Sequence, residues 1–556
     1  MPDPPPAPPR AALALVFLVA VIARGPALQT TWCLDDWGLL AGAAGLAAGG
    51  PARWVSQHLY WDLTWPLLGL DAFAHAVLRL VLHGIAAGAV VAIGVRGGLP
   101  TRGAVLAGLL FAAGPVSFTP VFWAAGIQEL LGTMLALLAV ERWLAGGRRG
   151  LVAAAACGIG AIFSKEAALG LPLFFFLLIA AGRPPGGPFR RVAWGVAGLL
   201  LAAAVAEGLL VLGHFARSEA DPYAVGGLRS VAGNLAKFGW WLASPLPVFT
   251  SRITWTVIGG GAALWLAWAA AAALRWRRGD RLPAAALAGA VLSLAAALPL
   301  VGQTHPYLGT TAAAAGALTL GALVPRRGRL HPAVALVAAA AAAAWGWLGM
   351  EARIANRNDR GWPADPVVRA QVLARQAATV IRDAAAGRPR AIVILQPPVT
   401  VEQARRSAQD PTAVTESARW SALAGDLGPR LLAGPQVPVR WTTSLADLAE
   451  GEHVLCESAK ELRDWGAPET ALFYATILDL GLGHDARAVA HLQRAAELGA
   501  DPTLFVYDDA LSGARTLARR RLRPFTAFLA AETAHGRLTP TTAKALRTTT
   551  TLLLTD

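Results

Sequence analysis

An acidic pair, Asp35-Asp36, stands in the run Thr31-Trp32-Cys33-Leu34-Asp35-Asp36-Trp37, just after the first long apolar stretch of the chain. Adjacent carboxylates flanked by tryptophans can take a proton as a general base or hold a divalent ion. A solvated loop start beside interfacial aromatics is the plainer alternative. His75, Arg79 and His83 recur every four residues, which places them on one face of a helix. In a membrane helix such a face turns inward, either supporting a site or simply hydrogen-bonding the bundle together. Glu129 sits in Gln128-Glu129-Leu130-Leu131, and Lys165-Glu166 in Phe163-Ser164-Lys165-Glu166. A lysine there can meet a phosphate as a point charge, or merely pair with Glu166 or snorkel. Glu207 interrupts an apolar run, which makes it a functional candidate by default. Arg217, Arg229, Lys237 and Arg252 gather positive charge over 214–252, with Arg217 and Arg252 candidates for a phosphate. His305 and Tyr307 open a late apolar stretch.

These residues need elements to hold them, and the composition says which. Of 556 residues, 55% are apolar and 15% charged, with mean hydropathy +0.48. Soluble chains carry about 25% charged residues, so a large soluble enzyme is excluded. The Ala/Leu/Val runs end near Gly349–Asn358, so the sequence reads as a membrane domain over 11–349 behind a proline-rich, disordered cytoplasmic tail over 1–10. A hydrocarbon crossing takes about 20 apolar residues. Spans are expected near 11–28, 72–95, 103–122, 127–145, 151–164, 166–181, 192–213, 253–274, 283–301, 307–324 and 331–349. Residues 151–181 count as two crossings because Arg142, Arg148 and Arg149 precede them and Arg183, Arg190 and Arg191 follow. Two basic loops belong on one side. Arg10, Arg96, Arg102, Arg275–Arg281 and Arg326–Arg329 obey the same alternation. Sixteen of 24 basic residues in the first 350 thereby fall on the cytoplasmic side. The N-terminus lies inside, with the first span an uncleaved anchor, and the C-terminal domain outside. The Trp-rich 235–250 stretch is read as interfacial or re-entrant. The net charge of +14 is therefore an orientation signal, and a nucleic-acid partner is excluded.

With the order of these pieces in view, the chain resembles the integral-membrane GT-C glycosyltransferases, especially bacterial relatives of the transmembrane-and-tetratricopeptide O-mannosyltransferases. The resemblance rests on an acidic pair after span one, H-x7-H in span two, the Pro115–Leu131 stretch ending in Gln128-Glu129-Leu130-Leu131, and Ser164-Lys165-Glu166. It covers roughly 11–310. Arg79 stands where the family usually has Asn, Ser117 where it has His or Thr, and Gln128 beside the acidic position. His305-Pro306-Tyr307-Leu308 is a reduced form of a later family element. The resemblance implies transfer of a sugar, with inversion, from a polyprenyl-phosphate donor to an acceptor on the outer face. Asp35 would be the base and Asp36 its assistant or a cation ligand, so a divalent metal enters as a candidate cofactor. Lys165 and an outer arginine would neutralise the departing phosphate.

Residues 350–466 are expected to form a small α/β unit, with strands at 391–395, 437–441 and 453–456. Residues 467–556 are helical, and 471–502 has the length and spacing of one tetratricopeptide unit; a stable array takes at least about three. Arg519–Arg521 and Arg523 read as a solvated face or a contact with anionic lipid. Three cysteines exclude a disulfide scaffold, and a Cys33–Cys456 pair stays open. Two other functions remain in play: a transporter or flippase of lipid-linked sugars, and a non-catalytic membrane scaffold with a partner-binding tail. The outward concentration of acids and bases favours the transferase over the transporter. A scaffold would need neither Asp35 nor Lys165.

Overall fold

The structure is a computed structural model that describes residues 7–180, 189–215, 224–243, 255–302, 304–325, 331–397, 403, 410, 414–458, 460–505 and 512–555. The chain divides into two compact units, Met1–Arg369 and Ala370–Asp556.

The first unit is helical. It opens with α1 (Arg10–Ala23), then two short helices, α2 (Asp35–Ala43) and α3 (Tyr60–Leu68), in the loop that carries the acidic pair. The Asp71 side chain accepts a hydrogen bond from Ala74 N at 3.0 Å and starts α4 (Ala72–Arg96). Next come α5 (Thr101–Ala113), α6 (Phe118–Phe122), α7 (Ile127–Ala145), α8 (Gly147–Ile162) and α9 (Leu171–Ala180). The unit continues through α10 (Arg190–Phe215), α11 (Leu228–Ala243), α12 (Trp255–Arg277), α13 (Leu282–Leu294), α14 (Thr310–Ala322) and α15 (Pro332–Ala355). A helix thus occupies each of the eleven stretches expected from hydropathy. Among the described residues, five helices are long and apolar enough to cross a membrane, or six if the pair Thr101–Ala113 and Pro115–Phe122, bent by 41°, counts as one span. The helix α11 covers only the first part of the 235–250 stretch; 244–250 lies outside the described residues.

Two features are compatible with a helical membrane protein. Large aliphatic side chains face outward on the long helices: Leu209 is 66%, Leu266 71% and Val337 69% exposed. Helices also meet through small residues, as lipid-embedded bundles do. A Cβ on Gly103 of α5 would collide with the Gly321 carbonyl oxygen of α14, and the reverse substitution would collide with the Gly103 carbonyl.

The last long apolar helix ends at Ala355, inside the expected Gly349–Asn358 boundary, while the compact first unit continues to Arg369. The cause is a buried ion pair: Arg353 Nε lies 2.6 Å from Asp365 Oδ2. The other Asp365 oxygen accepts from Val367 N at 2.8 Å and Val368 N at 3.2 Å, capping α16 (Pro366–Ala386).

In the second unit, β1 (Ala391–Leu395) pairs in parallel with β2 (Val439–Thr442) and β3 (Glu452–Glu457). An antiparallel β4 (Leu462–Gly466), not anticipated, completes the order β2-β1-β3-β4. The expected helical hairpin forms from Pro468–Leu482 and Asp485–Glu497, joined through Gly483 at φ 80°. Ser512–Ala534 and Pro540–Leu554 follow. Asp479 closes the hairpin by accepting from His484 Nδ1 at 3.2 Å and Arg487 Nε at 3.3 Å. Burial alone would raise this carboxyl, but hydrogen bonds from His484 and His491 hold it well below the usual range. Cys33, Cys157 and Cys456 are all free thiols.

Candidate functional site

The loop between α1 and α4 is fastened at two places. Asp36 is fully buried; its Oδ2 accepts from Cys33 N at 2.9 Å and its Oδ1 from Ala125 N at 2.5 Å. This second bond ties α2 to the turn that precedes α7. Burial pushes the Asp36 carboxyl up to about 7, against the pull of the Cys33 N–H, Arg79 and the Ala125 N–H. Further along, Val55 N donates to Phe163 O at 3.0 Å and Ser56 Oγ to Ser164 O at 2.7 Å. The loop is thereby docked on the tip between α8 and α9, which carries Lys165-Glu166.

That docking delivers Arg53, a residue no motif singles out. Its Nε donates to Glu166 Oε1 at 2.5 Å, its Nη1 to Gln128 Oε1 at 3.1 Å, and its backbone N–H to Glu207 Oε1 at 2.6 Å. One residue therefore links three separate helical segments. Lys165 Nζ lies 3.5 Å from Glu166 Oε2 on the other side. Burial and the nearby Arg53 charge lower the Lys165 ammonium below its ordinary value, with Glu166 and Glu129 opposing. The close approach of Lys165 to α7 requires glycine, since a Cβ on Gly132 would stand 2.9 Å from Lys165 Cβ.

Glu129 is 1% exposed and neither carboxylate oxygen has a hydrogen-bond partner; Lys165, Glu166 and Arg53 are the charges that act on it. A buried carboxylate left this way is a site candidate rather than packing. The second oxygen of Glu207 is likewise unpartnered. Asp35 begins α2 with an exposed side chain on one flank. The protein on its other flank raises its carboxyl, while Arg53 and Lys165 pull it back. His305 stacks on Tyr307 with ring centres 5.3 Å apart, and Tyr307 meets Trp123 edge-on at 6.5 Å. Burial, then the Lys165 charge, lowers the His305 imidazole.

Asp35, Glu129, Lys165, Glu166, Glu207 and His305 are thus brought to one neighbourhood, with Gln128 and Arg53 added. The seam of α4 is not part of it. His75 lies in an aromatic box, 5.5 Å from the Trp61 ring and 5.0 Å from Trp32. Arg79 donates to Val121 O at 2.9 Å and Thr30 Oγ1 at 3.0 Å; His83 Nε2 contacts Ala112 O at 3.0 Å. These three hold the bundle together behind Asp36. Arg217 and Arg252 lie outside the described residues.

Two backbone outliers border the neighbourhood. Leu34 at φ 53°, ψ −129° immediately precedes Asp35, and Arg53 itself sits at φ 55°. No other non-glycine residue with positive φ occurs among the described residues of the first unit. Such conformations persist where surrounding structure forces them, and they concentrate at functional sites. The signal for Arg53 that sequence could have offered is its place in the charge pattern: it is an arginine in a loop that the basic-inside alternation assigns to the side with few basic residues.

The donor set can be tested against a metal. Asp36 spends both oxygens on backbone N–H groups, so a divalent ion here would have Asp35 as its one carboxylate from the pair. Among the described residues, no group of three or more His, Cys, Asp and Glu gathers as a metal cage. Of the pair, Asp35 is the carboxylate left freer to meet a cation.

An apolar cavity of about 450 Å³ begins next to the charged neighbourhood, at Ala167 and Gly170, and runs past Phe174 and Leu292 to Trp276 and Leu282. Both ends of α13 line it, giving a length of roughly 20 Å at 1.5 Å per residue. The chain matches no family model and no curated protein.

Proposed function

We propose that the chain is a glycosyltransferase of the cytoplasmic membrane that moves a sugar from a polyprenyl-phosphate donor to an acceptor on the outer face. It would cross the membrane eleven times, with the N-terminus cytoplasmic and the C-terminal unit outside, in a GT-C-like arrangement. One observation carries this reading: two cations, Arg53 and Lys165, and an accessible carboxylate, Asp35, are assembled from distant segments near the Ala167 end of a helix-long apolar cavity. An isoprenoid chain needs such a cavity, a phosphate needs the cations, and an acceptor hydroxyl needs the base.

In this mechanism the acceptor oxygen attacks the anomeric carbon from the face opposite the phosphate. The acceptor O–H proton passes to Asp35, the anomeric C–O bond breaks, and its electron pair leaves with the polyprenyl phosphate. Arg53 and Lys165 stabilise the charge that develops on that phosphate. Asp36 acts as a positioning residue, since its buried oxygens are aimed at backbone N–H groups rather than at an acceptor. No step is routed through a metal.

The test is Asp35→Asn, assayed as transfer from a lipid-phosphate sugar in purified membranes and as envelope glycans by mass spectrometry. Transfer should fall by about 10²–10⁴-fold, the scale of general-base catalysis. Asp35 works only when ionised, so wild-type activity should decline as pH drops through its raised pKa. That limb would lie above the value of about 4 of an ordinary aspartate. Unchanged transfer in Asp35→Asn would falsify the assignment.

A further inference from the structure

A second, much smaller cavity, lined by two arginines among apolar residues, lies where α1, α5 and α15 meet. Arg24 follows the end of α1 and is 1% exposed. Its Nη2 donates to the carbonyl oxygen of Gly114, and its buried Nε has no partner. Arg353 of α15 comes to the same place. It pairs with Asp365 at 2.6 Å, donates to Thr119 Oγ1 at 3.0 Å, and lies 3.9 Å over the Phe118 ring. Two guanidinium groups are thus buried here, and the one carboxylate, Asp365, pairs with Arg353. Arg24 has no acidic hydrogen-bond or ion-pair partner among the described residues, and the two arginines repel each other. A buried cation left uncompensated is strongly disfavoured, so an anion from outside the chain is wanted.

The cavity says how such an anion enters. It is lined by Arg24, Arg353, Phe118, Trp345, Gly349 and Met350, and its inner space is about 10 Å³. That is room for one oxygen the size of a water. Trp345 at its edge is 56% exposed, and Leu348 beside it is 65% exposed. Farther along α15, Leu336 and Val337 continue this outward apolar flank. The site is therefore one oxygen deep, with an apolar surface leading away from it, which suits a charged headgroup attached to an acyl chain.

We propose that Arg24 and Arg353 bind the phosphate group of a membrane phospholipid. One phosphate oxygen sits between the guanidinium groups, and the acyl chains lie along the outer flank of α15. This site is independent of the transferase reading and is tested by binding alone.

The probe is phosphatidylglycerol, titrated into the detergent-purified full-length protein and read by native mass spectrometry. Diacylglycerol, which lacks the phosphate, serves as the comparison lipid. Wild type should retain phosphatidylglycerol and not diacylglycerol, and Arg24→Gln should weaken retention roughly tenfold or more, as expected for loss of a charge-assisted contact. Gly349→Leu should do the same by covering the mouth. A Cβ there meets nothing within 4 Å, so this variant keeps the test open if Arg24→Gln fails to fold. Displacement of the lipid by inorganic phosphate at comparable concentration would identify a soluble phosphate as the natural source. Equal retention by wild type and either folded variant would overturn the proposal.

Discussion

At the scale of single residues, Arg53 has the most to do. It gives its guanidinium to Glu166 and Gln128 and its backbone N–H to Glu207, so loss of the side chain strands two acceptors while the main-chain bond to Glu207 stays available. Arg53→Ala is expected to destabilise the protein by roughly 2–3 kcal/mol, less than a fully buried pair because the side chain retains some solvent. Transfer should be abolished with it. Arg53→Lys should recover part of the stability, since a single ammonium can still reach Glu166, but not the forked geometry. Thermal unfolding in detergent alongside a transfer assay separates the two effects, and a fully active, fully stable Arg53→Ala would remove this residue from the site. Nothing in the neighbouring residues announces Arg53. Its role arises from a backbone twist and from docking on Phe163 and Ser164, more than a hundred positions away. Glu129, Lys165 and Glu166, in contrast, stand out as charges inside apolar surroundings, and that contrast is visible in one dimension.

At the scale of elements, the four-residue recurrence of His75, Arg79 and His83 correctly placed them on one inward face of α4. What it could not convey is the identity of their partners. Arg79 and His83 answer main-chain carbonyls, Val121 O and Ala112 O, and a carbonyl carries no side-chain label. The same limit hid β4, a short strand of mixed polarity that exists because β3 offers it an edge. Small residues at helix crossings behave in the opposite way: they look idle in the sequence and are indispensable in space. Gly132 is the case nearest the chemistry. Gly132→Val would push Lys165 off α7, and the expected result is a loss of transfer on the order of tenfold with a stability penalty of about 1–3 kcal/mol. A valine variant that transfers sugar at the wild-type rate would show that the position of Lys165 does not matter.

At the scale of the whole chain, hydropathy located eleven helical stretches of the first unit but not the helix α11, and among the described residues only five or six helices are long and apolar enough to cross a membrane. The shorter ones, α1, α9 and α13 among them, fall below a full bilayer thickness. The proposed eleven-crossing topology therefore depends on the basic loops, and it makes a parity prediction. An odd number of crossings puts the two termini on opposite sides. Alkaline phosphatase fused after Asp556 should be active, and green fluorescent protein fused before Met1 should fluoresce. Two termini reporting the same compartment would require an even count and a new assignment of the charged neighbourhood.

Leu34 offers a way to think about how such a protein would respond to selection. Its backbone is held in a region natural to glycine, directly before the proposed base. Leu34→Gly should relieve that strain and raise thermal stability by about 1 kcal/mol. It should also let Asp35 wander from its aim. A laboratory lineage chosen only for heat resistance would accept this exchange early and lose turnover in the same step, whereas one chosen for turnover would keep the uncomfortable leucine. The conformation at position 34 is then a record of which of the two pressures the chain has answered to.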